Sequence, residues 1–342
     1  MRANLLFVIN GLGLGNSTRC HAVLDILSKH YDVDICVSNN SHKYFNTRKD
    51  LFRNLYVING FQYASGSLLN NILSIKRNFD FIDKIVSNND YSAVLVDSEY
   101  VAPFVALKNR IKVISINNSS NGFERFELRL IKKSFKHFFV ELFDHLYQKI
   151  FANYVVVPTF EPNSIIGEKH SKFPPIVRKG LTKKSSCLDV KNVLILFSGS
   201  ALFSVSDELY EIVLNHPEIH FICVGDVKWS MDNFKSYDKF TDTIHLINIS
   251  DLIICNAGFS SLSEVIYSRT PSWIVPISGH FEQNTNAACF DRNNWALITD
   301  KIDHPSFFRL LRNRSLYFDK MSLVSFEEDA AQLVGNFILD KI

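Results

Sequence analysis

Six cysteines in 342 residues, at positions 20, 36, 187, 223, 255 and 289, include no C-x-x-C pair and no cluster. Such scatter excludes a disulfide-framed scaffold and a thiolate metal site. At least four of them fall in apolar runs, where a free thiol behaves as a small hydrophobe, so the pattern predicts a reducing compartment. Long hydrophobic runs are also missing: none approaches the roughly 18–20 residues of a membrane span. The opening MRANLLFVINGLG has too short an apolar stretch for a signal peptide and no small-residue cleavage site, and reads as a first strand. Charge of one sign is lacking too. Thirty-seven basic and 35 acidic residues leave +2, too little to recruit nucleic acid through a global field. No His/Cys ligand set calls for a metal, and Asp32-Val-Asp34 lies inside a predicted strand and reads as structural. Low-complexity tracts and short-period repeats are absent. These gaps predict a soluble cytoplasmic chain with no metal and no nucleic-acid partner.

What is present is a rhythm. Short strand-like apolar runs alternate with longer helical ones, the pattern of an α/β fold with parallel, doubly wound sheets. The length predicts two domains. In the first half, strands are expected at 5–10, 33–37, 55–58, 93–96, 113–116 and 154–157, with helices at 21–30, 68–86, 101–109 and 125–151. Residues 159–190 are polar, carry Pro162, Pro174 and Pro175, and break the rhythm. It restarts at 193–197, 219–224, 234–237, 252–255, 273–275 and 296–298. The expected division is a domain over 1–165, a linker over 166–190, a second domain over 191–325 and a helix over 326–342 that could pack on either half. Two such halves imply a cleft, with ligands beyond the carboxyl ends of the strands.

The most informative segment is NAGFSSLSEVIYSRTPSWIVPISGHFEQNTNA, residues 256–287. A buried strand ends at Asn256-Ala257-Gly258 and a helix follows. Gly258 permits close backbone approach, and the helix turns free N–H groups and partial positive charge toward whatever sits there, as a diphosphate would require. Ser260 and Ser261 open that helix. Glu264, about one and a half turns in, can accept hydrogen bonds from a sugar diol. After a further strand come His280, Glu282, Gln283 and Asn286, suited to more hydroxyls. Each of these, alone, could be a solvated helix acid, a satisfied amide or a packed histidine. Together they describe a nucleotide sugar.

The first strand runs into Gly11-Leu-Gly13-Leu-Gly15-Asn16-Ser17-Thr18-Arg19. The spacing is not G-x-G-x-x-G, and strand two ends in Ser38-Asn39 rather than in an acid, so a dinucleotide fingerprint fails. Gly13, Gly15, Asn16 and Arg19 form an expected acceptor or phosphate loop, with Arg19 either holding phosphate or pairing with an acid. Asp97 and Glu99 follow the strand at 93–96. Either could deprotonate an acceptor hydroxyl if burial raised its pKa, and either could cap the helix near Val101.

In order along nearly the whole chain, GLGLGNSTR, VLVDSEYVAPFVAL, FPPIVR, NAGFSSLSE and GHFEQNTNA resemble the MurG-like and UDP-glucuronosyltransferase-like branch of the GT-B glycosyltransferases. The resemblance implies two facing Rossmann-like domains, acceptor bound mainly by the first and donor mainly by the second, with no obligatory metal or cofactor. By the same resemblance Gly258, Ser260 and Ser261 match the diphosphate loop, Glu264 the ribose acid, and Glu282 with Gln283 the donor-sugar pair. Ser198-Gly199-Ser200 match a second phosphate loop, and Phe240-Thr241 the place where relatives hold the base. One departure stands out: relatives usually carry His where this chain has Asn16. Asn cannot take a proton near neutral pH, so the catalytic assignment stays divided among Asn16, Asp97 and Glu99, with His21 and His280 as further candidates that could equally be ordinary packed or surface histidines.

Between Phe123 and Phe151 lie Phe126, Phe135, Phe138, Phe139, Phe143 and Tyr147, mixed with Arg125, Arg129, Lys132, Lys133 and Lys136. One reading is an amphipathic core helix. The other is a surface that rests on anionic lipid, peripheral on the inner face of the plasma membrane, beside a polyprenyl-linked acceptor. The functional expectation is an inverting, metal-independent hexosyltransferase using a UDP-sugar donor and a glycan or lipid-linked acceptor in cell-surface polysaccharide synthesis. The alternatives are a nucleotide-sugar hydrolase or 2-epimerase of the same fold and a non-catalytic nucleotide-sugar-binding subunit.

Overall fold

Strands buried on both faces must be apolar throughout, and the first of them, β1 (Asn4–Ile9), is fully buried from Leu5 to Ile9. The computed structural model describes residues 2–11, 13–60, 68–124, 131–132, 134–160, 168–186, 189–197, 207–225, 227–326 and 329–342. They form two compact units, one built from 1–120, 142–176 and 328–342, the other from 121–141 and 177–327. The chain thus enters the second unit early, returns, and finishes in the first. That differs from the contiguous division expected from the sequence.

In the first unit β1 is flanked by β2 (Asp32–Val37), β3 (Asn54–Val57), β4 (Tyr91–Asp97), β5 (Lys112–Ile116), β6 (Tyr154–Pro158) and β7 (His170–Phe173). The order is β3-β2-β1-β4-β5-β6-β7, all parallel. Helices α1 (Leu14–Leu27), α2 (Asn39–Phe45), α3 (Leu68–Ser87) and α4 (Ala102–Lys108) connect the strands. Helix α1 starts seven residues before the expected 21–30 because the glycine loop is itself helical from Leu14. Asp34 has the structural role expected of it. Buried in β2, it accepts from Arg53 Nε (2.9 Å) and Nη2 (2.7 Å), Asn54 Nδ2 (2.9 Å) and Tyr91 Oη (2.6 Å).

Strand β7 corrects the expected linker. His170–Phe173 lies inside 166–190 but pairs with β6, Val155 opposite His170 through Pro158 opposite Phe173. As an edge strand it buries only alternate residues, Ser171 and Phe173, which is why its sequence reads as polar. The C-terminal helix, Ala330–Lys341, packs on this unit, with the Phe337 ring 5.4 Å from Phe173 and 6.2 Å from Tyr154.

The second unit holds β8 (Asn192–Leu196), β9 (His220–Val224), β10 (Phe234–Tyr237), β11 (Leu252–Cys255), β12 (Ser272–Ile274) and β13 (Leu297–Ile298). Their order is β10-β9-β8-β11-β12-β13, again parallel. Two short pieces of the early chain belong here: α5 (Asn121–Glu124) and the start of α6 (Phe135–Phe151), which begins ten residues later than the expected helix; 125–130 lie outside the described residues. Then come α7 (Asp207–Leu214), α8 (Ile244–Ile249), α9 (Phe259–Ser268), α10 (Phe281–Arg292) and α11 (His304–Ser322). The early pieces dock on α10: Phe123 and Phe138 stand 5.9 and 5.4 Å from Phe281, and Asn284 Nδ2 donates to Ser134 Oγ at 2.6 Å. In each sheet the strand order reverses at the centre, between β1 and β4 and between β8 and β11, and the carboxyl ends of those strands open the crevice where ligands of such sheets bind.

A Cβ at Gly335 would lie 2.5 Å from Ile26 Cγ2 and 3.1 Å from its Cβ. Gly335→Val should therefore separate the C-terminal helix from α1 and lower stability by about 1–3 kcal/mol, read from the denaturant midpoint. An unchanged midpoint would mean that this contact does not hold the helix.

Candidate functional site

At the β11 end of the second unit, α9 begins directly after Gly258, which has extended backbone and no side-chain cap on the helix. A Cβ at Gly258 would meet no described residue within 4 Å, so among the described residues the approach to this helix start is open on that side. Three amides hold the turn in place from behind. Asn256 Nδ2 donates to Val275 O (3.0 Å), Asn286 Nδ2 to Ala257 O (3.0 Å), and Ile277 N to Gln283 Oε1 (3.0 Å). Asn286 and the carbonyl end of Gln283 are therefore structural, which narrows the expected sugar-facing role of Gln283 to its amide nitrogen. Ser260, Ser261 and Glu282 remain half-buried at the two helix starts.

Glu264 is buried, and its Oε1 accepts from Arg178 Nε (2.9 Å) and Nη2 (2.7 Å). Its other oxygen takes no hydrogen bond from the described residues. Arg178 also donates to Asp242 Oδ1 (2.9 Å) and Thr243 Oγ1 (2.7 Å), so one guanidinium ties the β7-to-β8 connection, the loop before α8, and α9 together. Sequence reasoning gave Arg178 no role, although it closes the FPPIVR segment; its partners lie 64 to 86 residues away. Next to this network, the Phe240 amide donates to Asp238 Oδ1 at 2.7 Å, so that N–H is already engaged within the loop. Ser198, Gly199 and Ser200 lie outside the described residues.

The glycine loop of the first unit is less open. A Cβ on Gly11 would sit 2.1 Å from Ser38 O and 2.5 Å from Ser41 N, so glycine is needed here for packing against the β2–α2 turn. Gly13 precedes α1 in extended backbone that any residue adopts, and the Gly15 carbonyl accepts from Thr18 Oγ1 at 3.0 Å. Asn16 Nδ2 donates to Asn10 O at 3.1 Å and fastens the first turn of α1 to the end of β1.

The two carboxylates expected as candidate bases both have partners here. Asp97 is wholly buried and accepts from Arg19 Nε (2.9 Å) and Nη2 (2.7 Å), while Arg19 Nη1 donates to Asn118 Oδ1 (3.1 Å). The two charges neutralise each other, so of the alternatives open to Arg19 the structure shows the pairing with an acid. Glu99 accepts from Val101 N (2.9 Å) and Ala102 N (2.7 Å) and so caps α4. Burial pushes its carboxyl up, against the lowering pull of the backbone amides of Ala102, Val101 and Tyr100. His21 Nδ1 is engaged with Tyr44 Oη at 2.9 Å.

The chain matches the family described as Glycosyl transferase family 1 over residues 3–313. It is 24% identical over 164 residues to the UDP-N-acetylglucosamine–N-acetylmuramyl-(pentapeptide) pyrophosphoryl-undecaprenol N-acetylglucosamine transferase of Clostridium tetani, across 43% of this chain and 46% of that protein. A glycosyltransferase of Methanosarcina acetivorans is 24% identical over 232 residues, 59% of this chain and 58% of its own length. The chain thus spans about half the length of the curated relatives it matches. Among solved structures, MurG of Acinetobacter baumannii superposes with a TM-score of 0.66 at 16% identity over 99% of both chains. UGT89C1 of Arabidopsis thaliana, complexed with quercetin, gives 0.70 at 12% identity over 100% and 99%. The fold is GT-B, with two parallel-sheet Rossmann-like domains.

Arg19→Met would strand the buried Asp97 carboxylate and should cost about 3–5 kcal/mol. Adding Asp97→Asn should recover much of that loss. A single-variant cost under about 1 kcal/mol in urea titration would show that the pair is not a buried anchor.

Proposed function

The chain belongs to glycosyl transferase family 1, and on that footing we propose that it moves a sugar from a UDP-sugar to a hydroxyl of a glycan or polyprenyl-linked acceptor, without a metal and with inversion. The observation that carries this reading is the open start of α9 beside Gly258, followed on the same helix by a buried Glu264 with one oxygen committed to Arg178. The helix start supplies N–H donors and positive potential to a diphosphate, and the same groups favour charge that develops on it as the glycosidic bond breaks. Glu264, held in orientation by Arg178, accepts from the ribose diol through its second oxygen. Ser260 and Ser261 flank the diphosphate. Glu282 and the amide nitrogen of Gln283, at the start of α10, receive the sugar hydroxyls. The Clostridium tetani relative is, by its name, an N-acetylglucosamine transferase that pairs UDP-N-acetylglucosamine with a pyrophosphoryl-undecaprenol acceptor, which supports both halves of the reading.

Such an acceptor lies in a membrane, and the first unit offers a surface for it. On α6, Phe143, Leu146 and Ile150 are exposed at a spacing that places them on one helical face, and Phe104 and Leu107 are exposed on α4, whose Phe104 ring lies 4.5 Å from Phe151. Lys149 is exposed beside them, a sign suited to anionic lipid. Among the described residues no helix is long and apolar enough to cross a membrane, so this contact would be peripheral.

UDP-sugars should raise the thermal midpoint, with the logarithm of ligand over Kd once ligand exceeds Kd, and Glu264→Ala should abolish that shift or raise the donor KM at least tenfold, a loss of about 1.4 kcal/mol. Wild-type donor kinetics in that variant would reject the ribose assignment. Vesicles containing anionic lipid should float the protein at low salt, and Phe143→Ser with Ile150→Ser should release it. No association of the wild type would reject the membrane surface.

A further inference from the structure

Transfer to a hydroxyl needs a group that accepts its proton, and the carboxylates beside the glycine loop are committed: Asp97 to Arg19 and Glu99 to the start of α4. Asn16 cannot serve, Glu264 is paired with Arg178, and Glu282 has a partner of its own. In the second unit two imidazoles come together at the start of α10. The His137 ring, from α6, stacks on that of His280 with centroids 4.8 Å apart and planes 27° from parallel. His280 stands immediately before the helical turn that carries Glu282 and Gln283, and its Nδ1 is buried with no hydrogen-bond partner among the described residues. His137 itself is exposed. Next to them Gly279 adopts φ +76°, and a Cβ there would meet nothing within 4 Å, so the loop borders open space.

We propose that the stacked His137–His280 pair accepts the proton of the incoming hydroxyl in the transfer reaction, the function for which Asn16 is unfit. The inference rests on the transferase reading above. The acceptor O–H proton passes to an imidazole nitrogen of the pair as the oxygen bonds to the anomeric carbon. The bond from that carbon to the diphosphate breaks, its electron pair leaves on UDP, and the imidazolium returns the proton to water. Although His137 is exposed overall, partial desolvation of its ring first, and its electrostatic interaction with His280 second, hold the His137 imidazole below its ordinary range, which favours the neutral form that accepts a proton. The other ionisable groups closest in sequence on the packed elements are Lys136 and Glu141 on α6, Glu282 on α10 and Glu124 on α5. A base acts when deprotonated, so turnover should fall as pH drops through the lowered pKa of His137, on an acid limb below the ordinary histidine range.

The test measures UDP release against pH, with the UDP-sugar that most stabilises the wild type, in wild type, His137→Gln and His137→Ala of unchanged thermal midpoint. It also follows the imidazole NMR signals of the wild type with UDP and with UDP-sugar. Expected are a fall in kcat of about 100-fold or more with donor KM little changed, loss of the acid limb, partial rescue of His137→Ala by free imidazole, and His137 and His280 shifts that respond to the sugar but not to UDP. Donor binding with no sugar-dependent shift, or a retained kcat and acid limb in His137→Gln, overturns the pair as base and leaves the transferase reading standing. If no UDP-sugar stabilises the wild type, the transferase reading falls, and this one with it.

Discussion

A guanidinium buried against a carboxylate holds the candidate donor site in shape. Arg178 and Glu264 are both nearly inaccessible, and neither charge is tolerable alone in that setting. The pairing fixes the Glu264 side chain on α9 and, through Asp242 and Thr243, fixes the loop before α8 against it. A helix start such as that of α9 binds an anion only when its backbone stays put. The amides of Asn256, Asn286 and Ile277 see to that from the β12 and α10 side, and Arg178 from the other. On the proposed reading the binding geometry is therefore present before the ligand arrives, which is what electrostatic stabilisation of a leaving diphosphate requires.

The first unit uses the same device for another end. Arg19, in the second turn of α1, and Asp97, the last residue of β4, form a buried pair beside the crevice position of that sheet. Here the pair consumes two residues whose type and location suggested chemistry. Asn16, Glu99 and Gly11 are likewise occupied with the turn, the helix start and close packing. The groups proposed to act on the donor and the acceptor hydroxyl therefore lie in the second unit, and an early segment of the chain supplies His137 to it.

Much of this could be read from the sequence where a single physical cause dominates. Parallel strands buried on both faces must be continuous apolar runs, so β1, β4, β9 and β11 were visible. A glycine between a strand and a helix marks an approachable turn, so the Gly258 loop was visible as well. The edge strand β7 was not, because His170 and Lys172 alternate with buried Ser171 and Phe173 and resemble a loop. Pairings across long separations left no local trace: 78 residues part Arg19 from Asp97, and 86 part Arg178 from Glu264. The passage of 121–141 into the second unit was equally hidden, since an amphipathic aromatic segment looks the same whichever core receives it. That is why His137 drew no notice.

The most direct test of the whole account is a crystal of the protein soaked with UDP. Density for the diphosphate at the first turn of α9, with the ribose hydroxyls on the unoccupied oxygen of Glu264 and Arg178 still on the other, is the predicted result. A nucleotide bound anywhere else, or a Glu264 that leaves Arg178 and makes no contact with the ribose, would contradict it.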